Sequence, residues 1–380
     1  MTRTATDRTS VLAAPGLEGV VVAETSIGDV RGLEGFYHYR QYSAVELAAK
    51  RSFADVVELA FRGELPTKLG MAAAVIPRSL PAGLAAILPQ IAATGTPLDV
   101  LRSAVSLLGA ELSWRPILDT PSAELLSQAL ELCSLVPTVL SAVDRLRRDL
   151  TPIEPRDDLG FSENYLWMLH GEEPEKEVAR AVEQYLILVI DHGFNASTFT
   201  ARVIASTGAD LAACICGAIG AMSGPLHGGA PSRALDMLDE IGDPSRTAAF
   251  VRGLVGKGDR VMGFGHRVYK TDDPRSRFLR ELADRLHAPL LDFATDVEQF
   301  VEATLAELKP GRELHANVEF YAGVVMDACG ISRDMFTPTF ATGRVVGWCA
   351  HVMEQAAHNR LIRPSARYVG PSAPQPVPTS

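Results

Sequence analysis

Apolar residues along this chain recur mostly at helical spacing. Leu98, Leu101, Val105 and Leu108 repeat every three or four positions before Gly109, a period that lines one face of a helix. Ser43-Ala-Val-Glu46 has the form of a capping box and predicts a helix start. A second helix is predicted from about Phe53 to a stop at Gly63, with Pro66 beyond it. The same periodicity predicts helices near 122–135, 137–149, 161–169, 174–191, 195–207, 209–222, 230–240, 245–255, 274–287, 293–308 and 338–359. Strand-like alternation is rare; Val20–Ile27 is its best case and reads as a short hairpin. Residues 1–15 and the proline-rich tail from Tyr368 read as loose. No repeat of fixed period is present. The predicted fold class is all-α.

Composition narrows the partners. The chain has 380 residues, 47% of them hydrophobic and 7% aromatic, with 36 basic against 46 acidic residues and a net charge of −10. That apolar content excludes a wholly disordered chain. The acidic balance argues against general nucleic-acid binding, which needs a basic face. An anionic ligand would need a local basic pocket. No uninterrupted apolar stretch of about 18 residues occurs, so no membrane span is expected. The longest candidate, Leu211 to Met222, is short and contains Gly217 and Gly220. Five scattered cysteines (Cys133, Cys214, Cys216, Cys329 and Cys349) read as reduced thiols of a cytoplasmic protein. Cys214 and Cys216 form a C-x-C inside an apolar helix and read as core residues, not metal ligands.

Three segments interrupt the helical text and carry titratable groups. They are Gly224-Pro-Leu-His-Gly-Gly229, Gly263-Phe-Gly-His-Arg-Val-Tyr-Lys270, and the stretch around Asn317-Val-Glu-Phe-Tyr321. Glycines let a backbone approach a ligand or take a positive φ. His227 and His266 lie in the first two segments, and His192 follows an apolar helix. A lone histidine in such a place is usually structural. Three in comparable settings point to hydrogen bonding of carbonyl oxygens and proton transfer near neutral pH.

The window from Arg252 to Arg280 holds eight cations (Arg252, Lys257, Arg260, Arg267, Lys270, Arg275, Arg277 and Arg280) against Asp259, Asp272 and Asp273. It is either a solvated helical face or the seat of a phosphorylated polyanion, to which arginine is suited by bidentate hydrogen bonding. Arg344 and Arg363 are further cationic candidates. Glu319 sits in an apolar run. It is either a salt-bridged core carboxylate or a general base whose pKa is set by burial and nearby cations. The residues alone describe a helical enzyme that binds an anionic substrate with histidines, arginines and one carboxylate.

These segments resemble the citrate synthase family. The resemblance runs through Asn195-Ala-Ser-Thr-Phe-Thr-Ala-Arg202, Gly224–Gly229, Met262–Lys270 with Asp273-Pro-Arg275, Phe336-Thr-Pro338, Arg344-Val-Val-Gly-Trp348, Ala350-His351 and Ile362-Arg-Pro364. Several long motifs in one order are far more specific than a single short one. The resemblance implies a helical homodimer of the short type, without the extra N-terminal domain of the hexameric type. It implies a large domain (1–228 and 330–380) and a small domain (229–329) that close over the substrates. The implied reaction condenses oxaloacetate with acetyl-CoA to citrate and free CoA, with no metal and no cofactor. His227 matches the histidine that hydrogen-bonds the thioester carbonyl, and His266 the one that polarises the oxaloacetate ketone. His192, Arg275 and Arg344 match oxaloacetate ligands, and Arg363 an arginine that reaches the neighbouring subunit's site. Lys257, Arg260, Arg267 and Lys270 are the expected CoA-phosphate cations.

Three departures from the family pattern stand out. The family base is an aspartate in Asn-Val-Asp-Phe-Tyr, whereas Glu319 stands here. The extra methylene moves the carboxylate by about 1 Å, a shift worth roughly 100-fold if uncorrected. Thr96-Pro-Leu-Asp99 replaces a His-Pro-Met-Asp segment, and Tyr37-His-Tyr-Arg-Gln41 replaces a Tyr-Arg-Gly segment. Both are expected to lie away from the chemistry. The rival readings are a 2-methylcitrate synthase acting on propionyl-CoA, a citrate synthase-like binding or regulatory protein with impaired chemistry, and, least of all, a metal hydrolase.

Overall fold

The computed structural model describes residues 12–67, 78–225, 227, 230–266 and 268–378. Among these are fifteen α-helices and one small antiparallel sheet of three strands. The sheet comprises β1 (Gly28–Arg31), β2 (Phe36–Tyr39) and β3 (Tyr42–Ser43). The strands pair in sequence order, with Val30 opposite Tyr37. The expected Val20–Ile27 hairpin is corrected. Residues 20–25 are extended coil with Val21 88% exposed, and pairing starts only at Gly28. Alternation failed as a guide because, among the described residues, 20–25 have no strand partner and only Ile27, at the segment's end, reaches the core.

Helices α1 (Ala44–Lys50), α2 (Phe53–Arg62), α3 (Ala82–Ala92) and α4 (Pro97–Glu111) follow. Ser43, Ser52 and Thr96 cap α1, α2 and α4 through their side-chain oxygens, satisfying backbone donors that have no intrahelical partner. The Thr96–Asp99 departure is thus a capping box. Helix α5 (Ser122–Arg147) is continuous through Pro137, where two helices were expected. A mid-helix proline forfeits one hydrogen bond, but residues 132–144 are all buried, and packing outweighs that loss. By length and composition α5 could cross a bilayer, yet 72% of its most apolar window is buried inside the protein, as in a core helix. Then come α6 (Phe161–His170), α7 (Lys176–Leu188), α8 (Ala196–Ser206) and α9 (Leu211–Met222). Cys214 is buried in α9, and Cys216 donates its thiol to the Arg102 carbonyl.

The remaining helices are α10 (Ala230–Ile241), α11 (Thr247–Lys257), α12 (Pro274–Arg285), α13 (Leu291–Leu308), α14 (Val318–Ala328) and α15 (Phe336–Ala357). Helices α10 and α12 pack on α14, and α11 packs on α13. This group meets the rest of the chain through α1, α7 and α15. The expected boundary near 228–229 lies outside the described residues.

Helix α15 crosses the C-terminal end of α7 at two glycines. A Cβ on Gly343 would lie 2.8 Å from the Leu186 carbonyl oxygen, and one on Gly347 only 2.1 Å from the Ile190 carbonyl oxygen. No real Cβ tolerates the second distance, so the missing side chain sets the approach of the two elements. Arg344, between the glycines, is thereby pressed against Val189 and donates Nε–H to its carbonyl at 2.7 Å. Helix propensity favours alanine over glycine by about 1 kcal/mol. Gly347→Ala is nevertheless expected to destabilise the chain by about 1–3 kcal/mol, the cost of overpacking. A urea-denaturation midpoint measures this; a variant as stable as the wild type would refute the packing argument.

Candidate active site

The segment carrying His266 is held open by two positive-φ glycines, Gly263 (φ 77°) and Gly265 (φ 81°). It is laced to the stretch before α14. Gly265 N–H donates to the His315 carbonyl (2.8 Å), Asn317 N–H to the Gly263 carbonyl (2.8 Å), and Asn317 Nδ2 to the Gly265 carbonyl (3.1 Å). Asn317 also caps α14 by accepting Glu319 N–H at 3.0 Å. One asparagine therefore binds the histidine loop to the helix that presents Glu319.

His266 Nδ1 accepts two backbone N–H groups, from Val268 and Tyr269, both at 3.0 Å. In the neutral ring the proton must then sit on Nε2. Arg275 Nη2 lies 3.4 Å from that Nε2. Both are donors, so the pair marks a position for an oxygen acceptor, not a bond. His192 stands edge-on to His266, ring centroids 5.3 Å apart, with Nε2 3.0 Å from the Tyr269 hydroxyl. Burial, then Arg275 and His266, holds His192 well below its ordinary pKa. Burial and Arg275 lower His266 to about 4, so both rings are neutral at pH 7.

Two arginines face this centre. Arg275 is 3% exposed; burial would lower its pKa, but the adjoining Asp273 carboxylate outweighs that and raises it. Arg344, 2% exposed, lies over the Phe340 ring at 4.6 Å. Its pKa is lowered by burial, with Asp191 opposing. Beyond Val189, no hydrogen bond to its guanidinium forms among the described residues. The remaining N–H groups suit a carboxylate.

Glu319 is tightly surrounded yet remains partly exposed. Burial pushes its carboxyl up to about 7, with Arg275 opposing and Asp273 reinforcing the rise. A carboxylate with that pKa accepts a proton near neutral pH far better than an ordinary one.

His227 binds Ser197 Oγ through Nε2 at 2.7 Å. Ser197 has one proton and two further neighbours. Trp348 Nε1–H donates to it (3.1 Å), and Asn195 Oδ1 accepts from it (2.8 Å). If the serine proton goes to Asn195, His227 Nε2 is the donor; if it turns to His227, the imidazole proton sits on Nδ1. Burial first, then Arg344, lowers His227 to about 4, so the ring is neutral in either state.

The structure thus brings His192, His266, Arg275, Arg344 and Glu319 together, with His227 within the field of Arg344. Lys257 ends α11, Arg260 follows it, and both are exposed. Lys270 is exposed, and its backbone N–H donates to the Gly32 carbonyl at 3.1 Å. Arg267 and the glycines after His227 lie outside the described residues. Arg363 is exposed coil six residues beyond the end of α15.

One expectation is corrected. The Tyr37–Gln41 segment is not remote from the chemistry. The Tyr37 ring lies 5.5 Å from the His192 ring, and the Arg275 guanidinium lies 5.8 Å above it. Its hydroxyl donates to the Leu188 carbonyl. A buried tyrosine can support an imidazole with its ring while its polar tip is satisfied elsewhere; strand position alone does not reveal this. Ser197, Trp348 and Tyr269 lie within recognised motifs, but their roles follow only from the hydrogen bonds. Asp191 was also missed. It accepts from His351 Nε2 (3.2 Å) and Gly193 N–H (3.2 Å), bracing the turn that carries His192.

A family model described as the citrate synthase C-terminal domain matches residues 16–365. Citrate synthase 2 of Bacillus subtilis is 37% identical over 96% of this chain and 98% of its own. The 2-methylcitrate synthase of Mycobacterium tuberculosis is 37% identical over 93% and 90%. The crystal structure of citrate synthase from Thermotoga maritima superimposes with a TM-score of 0.83 at 37% identity, covering 96% of this chain and 97% of that one. A ternary complex of carboxymethyl coenzyme A and oxaloacetate with citrate synthase from Thermoplasma acidophilum gives a TM-score of 0.88 at 28% identity, covering 96% and 97%. An all-α chain that keeps these motifs on this fold along nearly its whole length belongs to the citrate synthase family.

Proposed function

We propose that this protein is a citrate synthase that condenses oxaloacetate with acetyl-CoA. The observation that carries the reading is the acceptor position between His266 Nε2–H and Arg275 Nη2, beside a carboxyl poised at about 7. Arg275 and Arg344 would take the two oxaloacetate carboxylates, with His192 lining the same pocket. His266 Nε2–H would polarise the ketone. Glu319 would remove a proton from the thioester methyl. The developing enolate oxygen would accept an N–H from His227, supplied when Ser197 turns its proton toward Nε2. The methyl carbon then bonds to the ketone carbon while the ketone oxygen takes the His266 proton. Hydrolysis of the resulting thioester releases citrate and CoA. The His227 and His266 donors are aimed at charge that grows only along the reaction, which is what lowers a barrier.

A colorimetric assay of CoA release, with acetyl-CoA and propionyl-CoA in parallel, tests the activity. Propionyl-CoA belongs in it because one methylene in an apolar pocket is worth only about 1–3 kcal/mol. Oxaloacetate-dependent release is expected, and its absence with both thioesters would overturn the reading. His266→Ala and His227→Ala are each expected to lower kcat by about 100-fold or more.

Glu319 sets the pH dependence. The base works deprotonated, and its pKa is raised, so kcat is expected to fall as pH drops through about 7. Glu319→Gln cannot accept the proton. It is expected to lose at least about 100-fold in kcat with oxaloacetate affinity nearly intact. An active glutamine variant would place the base elsewhere.

A homodimer with shared sites is also proposed. Arg363 lies past the end of α15, which is itself about 20 Å along the helix axis from Arg344, and Leu361, Tyr368 and Val369 nearby in sequence are uncovered apolar side chains. Mixing Arg363→Ala and His266→Ala subunits leaves each hybrid one complete site. About a quarter of wild-type activity is expected from random pairing about a two-fold axis. A monomer by light scattering at micromolar concentration would refute it.

A further inference from the structure

Asp273 is 2% exposed and lies outside the set of residues that would touch substrate. Its two oxygens nonetheless accept four hydrogen bonds. Oδ1 takes Arg275 N–H and Arg275 Nε–H, each at 3.0 Å; Oδ2 takes Arg275 Nη2–H at 2.8 Å and Val318 N–H at 3.1 Å.

The pattern has a geometric consequence. A guanidinium has five N–H donors in one plane. Asp273 occupies the edge formed by Nε and one Nη2 hydrogen. What remains is the opposite edge, the second Nη2 hydrogen and both on Nη1. Among the described residues no acceptor takes that edge. The committed edge fixes the plane of the group, so the remaining edge can face only one way. Nη2 is the atom 3.4 Å from His266 Nε2, and its uncommitted hydrogen belongs to that remaining edge.

The fourth bond reaches another element. Val318 is the first residue of α14, and its N–H is one of those a helix start leaves without an intrahelical partner. Asp273 also caps α12. One buried carboxylate thus ends two helices and pins the arginine between them. The residue after Val318 is Glu319.

We infer that Asp273 is a positioning residue. It sets which edge of Arg275 is presented to substrate and locks that edge in register with the helix that carries Glu319. This rests on the proposed roles of Arg275 and Glu319 and adds a residue those roles do not name. Holding reacting groups within a fraction of an ångström is worth orders of magnitude in rate, and a lone arginine side chain has many rotamers to lose.

The test compares oxaloacetate and acyl-CoA in Asp273→Asn and Asp273→Ser, alone and in an Arg275→Gln background. Serine keeps a side-chain cap for α12, so it removes the guanidinium contacts with the least threat to folding; thermal melts of all variants accompany the kinetics. Asp273→Ser is expected to raise KM for oxaloacetate at least about tenfold while leaving KM for the acyl-CoA within about twofold. In the Arg275→Gln background the same substitution is expected to change oxaloacetate affinity less than about twofold, because the group it positions is gone. An unchanged oxaloacetate KM would overturn the inference. So would the same factor in both backgrounds, which describes general damage. A wild-type chain that releases no CoA would remove the proposed activity, and calorimetric oxaloacetate binding would still decide the role of Asp273 by the same comparison.

Discussion

Two guanidinium groups buried at one cleft constrain everything around them. Leaving a charge in a protein interior without compensation costs several kcal/mol, so each arginine must be answered. Arg275 is answered within the chain by Asp273. Arg344 receives one backbone carbonyl and the more distant field of Asp191. The same cations, with burial, keep three imidazoles neutral, while burial holds the one carboxyl near 7 against Arg275. Burial, helped by these cations, keeps the imidazoles neutral, while burial alone, working against Arg275, makes the carboxyl a stronger base.

Precision at this cleft comes from places where side chains are absent or silent. Gly343 and Gly347 let α15 close on the end of α7 and set the depth of Arg344. Gly32 does the same for the N-terminal sheet, because a Cβ there would lie 2.2 Å from the Val268 carbonyl oxygen. The backbone N–H groups of Val268 and Tyr269 decide which nitrogen of His266 bears the proton. Backbone donors have no rotamers to fix and are ready before substrate arrives.

Much of this was legible in the linear text, for physical reasons. Helical periodicity and capping patterns announced most of the helices because amphipathic faces and caps are local properties. His266 and Glu319 stood out because glycine-rich or helix-start segments advertise special backbone geometry, whereas His192, Arg275 and Arg344 were marked as site residues by the family resemblance. Tyr37 was not, since its importance lies in a partner 155 positions away. Pro137 read as a break, because the packing that carries α5 through it is tertiary. Asp273 entered as a negative charge and as one letter of the Asp273-Pro-Arg275 motif, with no role of its own. An Asp-Pro pair suits a helix start, but nothing local says that the capping carboxylate also holds Arg275.

The N-terminal hairpin matters for the order in which the chain is made. Tyr37 finds its acceptor 151 residues later, at Leu188, and Gly32 finds its donor later still, at Lys270. At roughly 5–20 residues per second, the first of those gaps takes on the order of ten seconds or more on the ribosome. Throughout that time the small sheet has α1 against it but lacks the end of α7, where the Tyr37 and Tyr39 hydroxyls find their acceptors, and an isolated hairpin is only marginally stable in water. The nascent chain thus carries one wall of the candidate site, backed only by its nearest helix, long before the opposite wall exists.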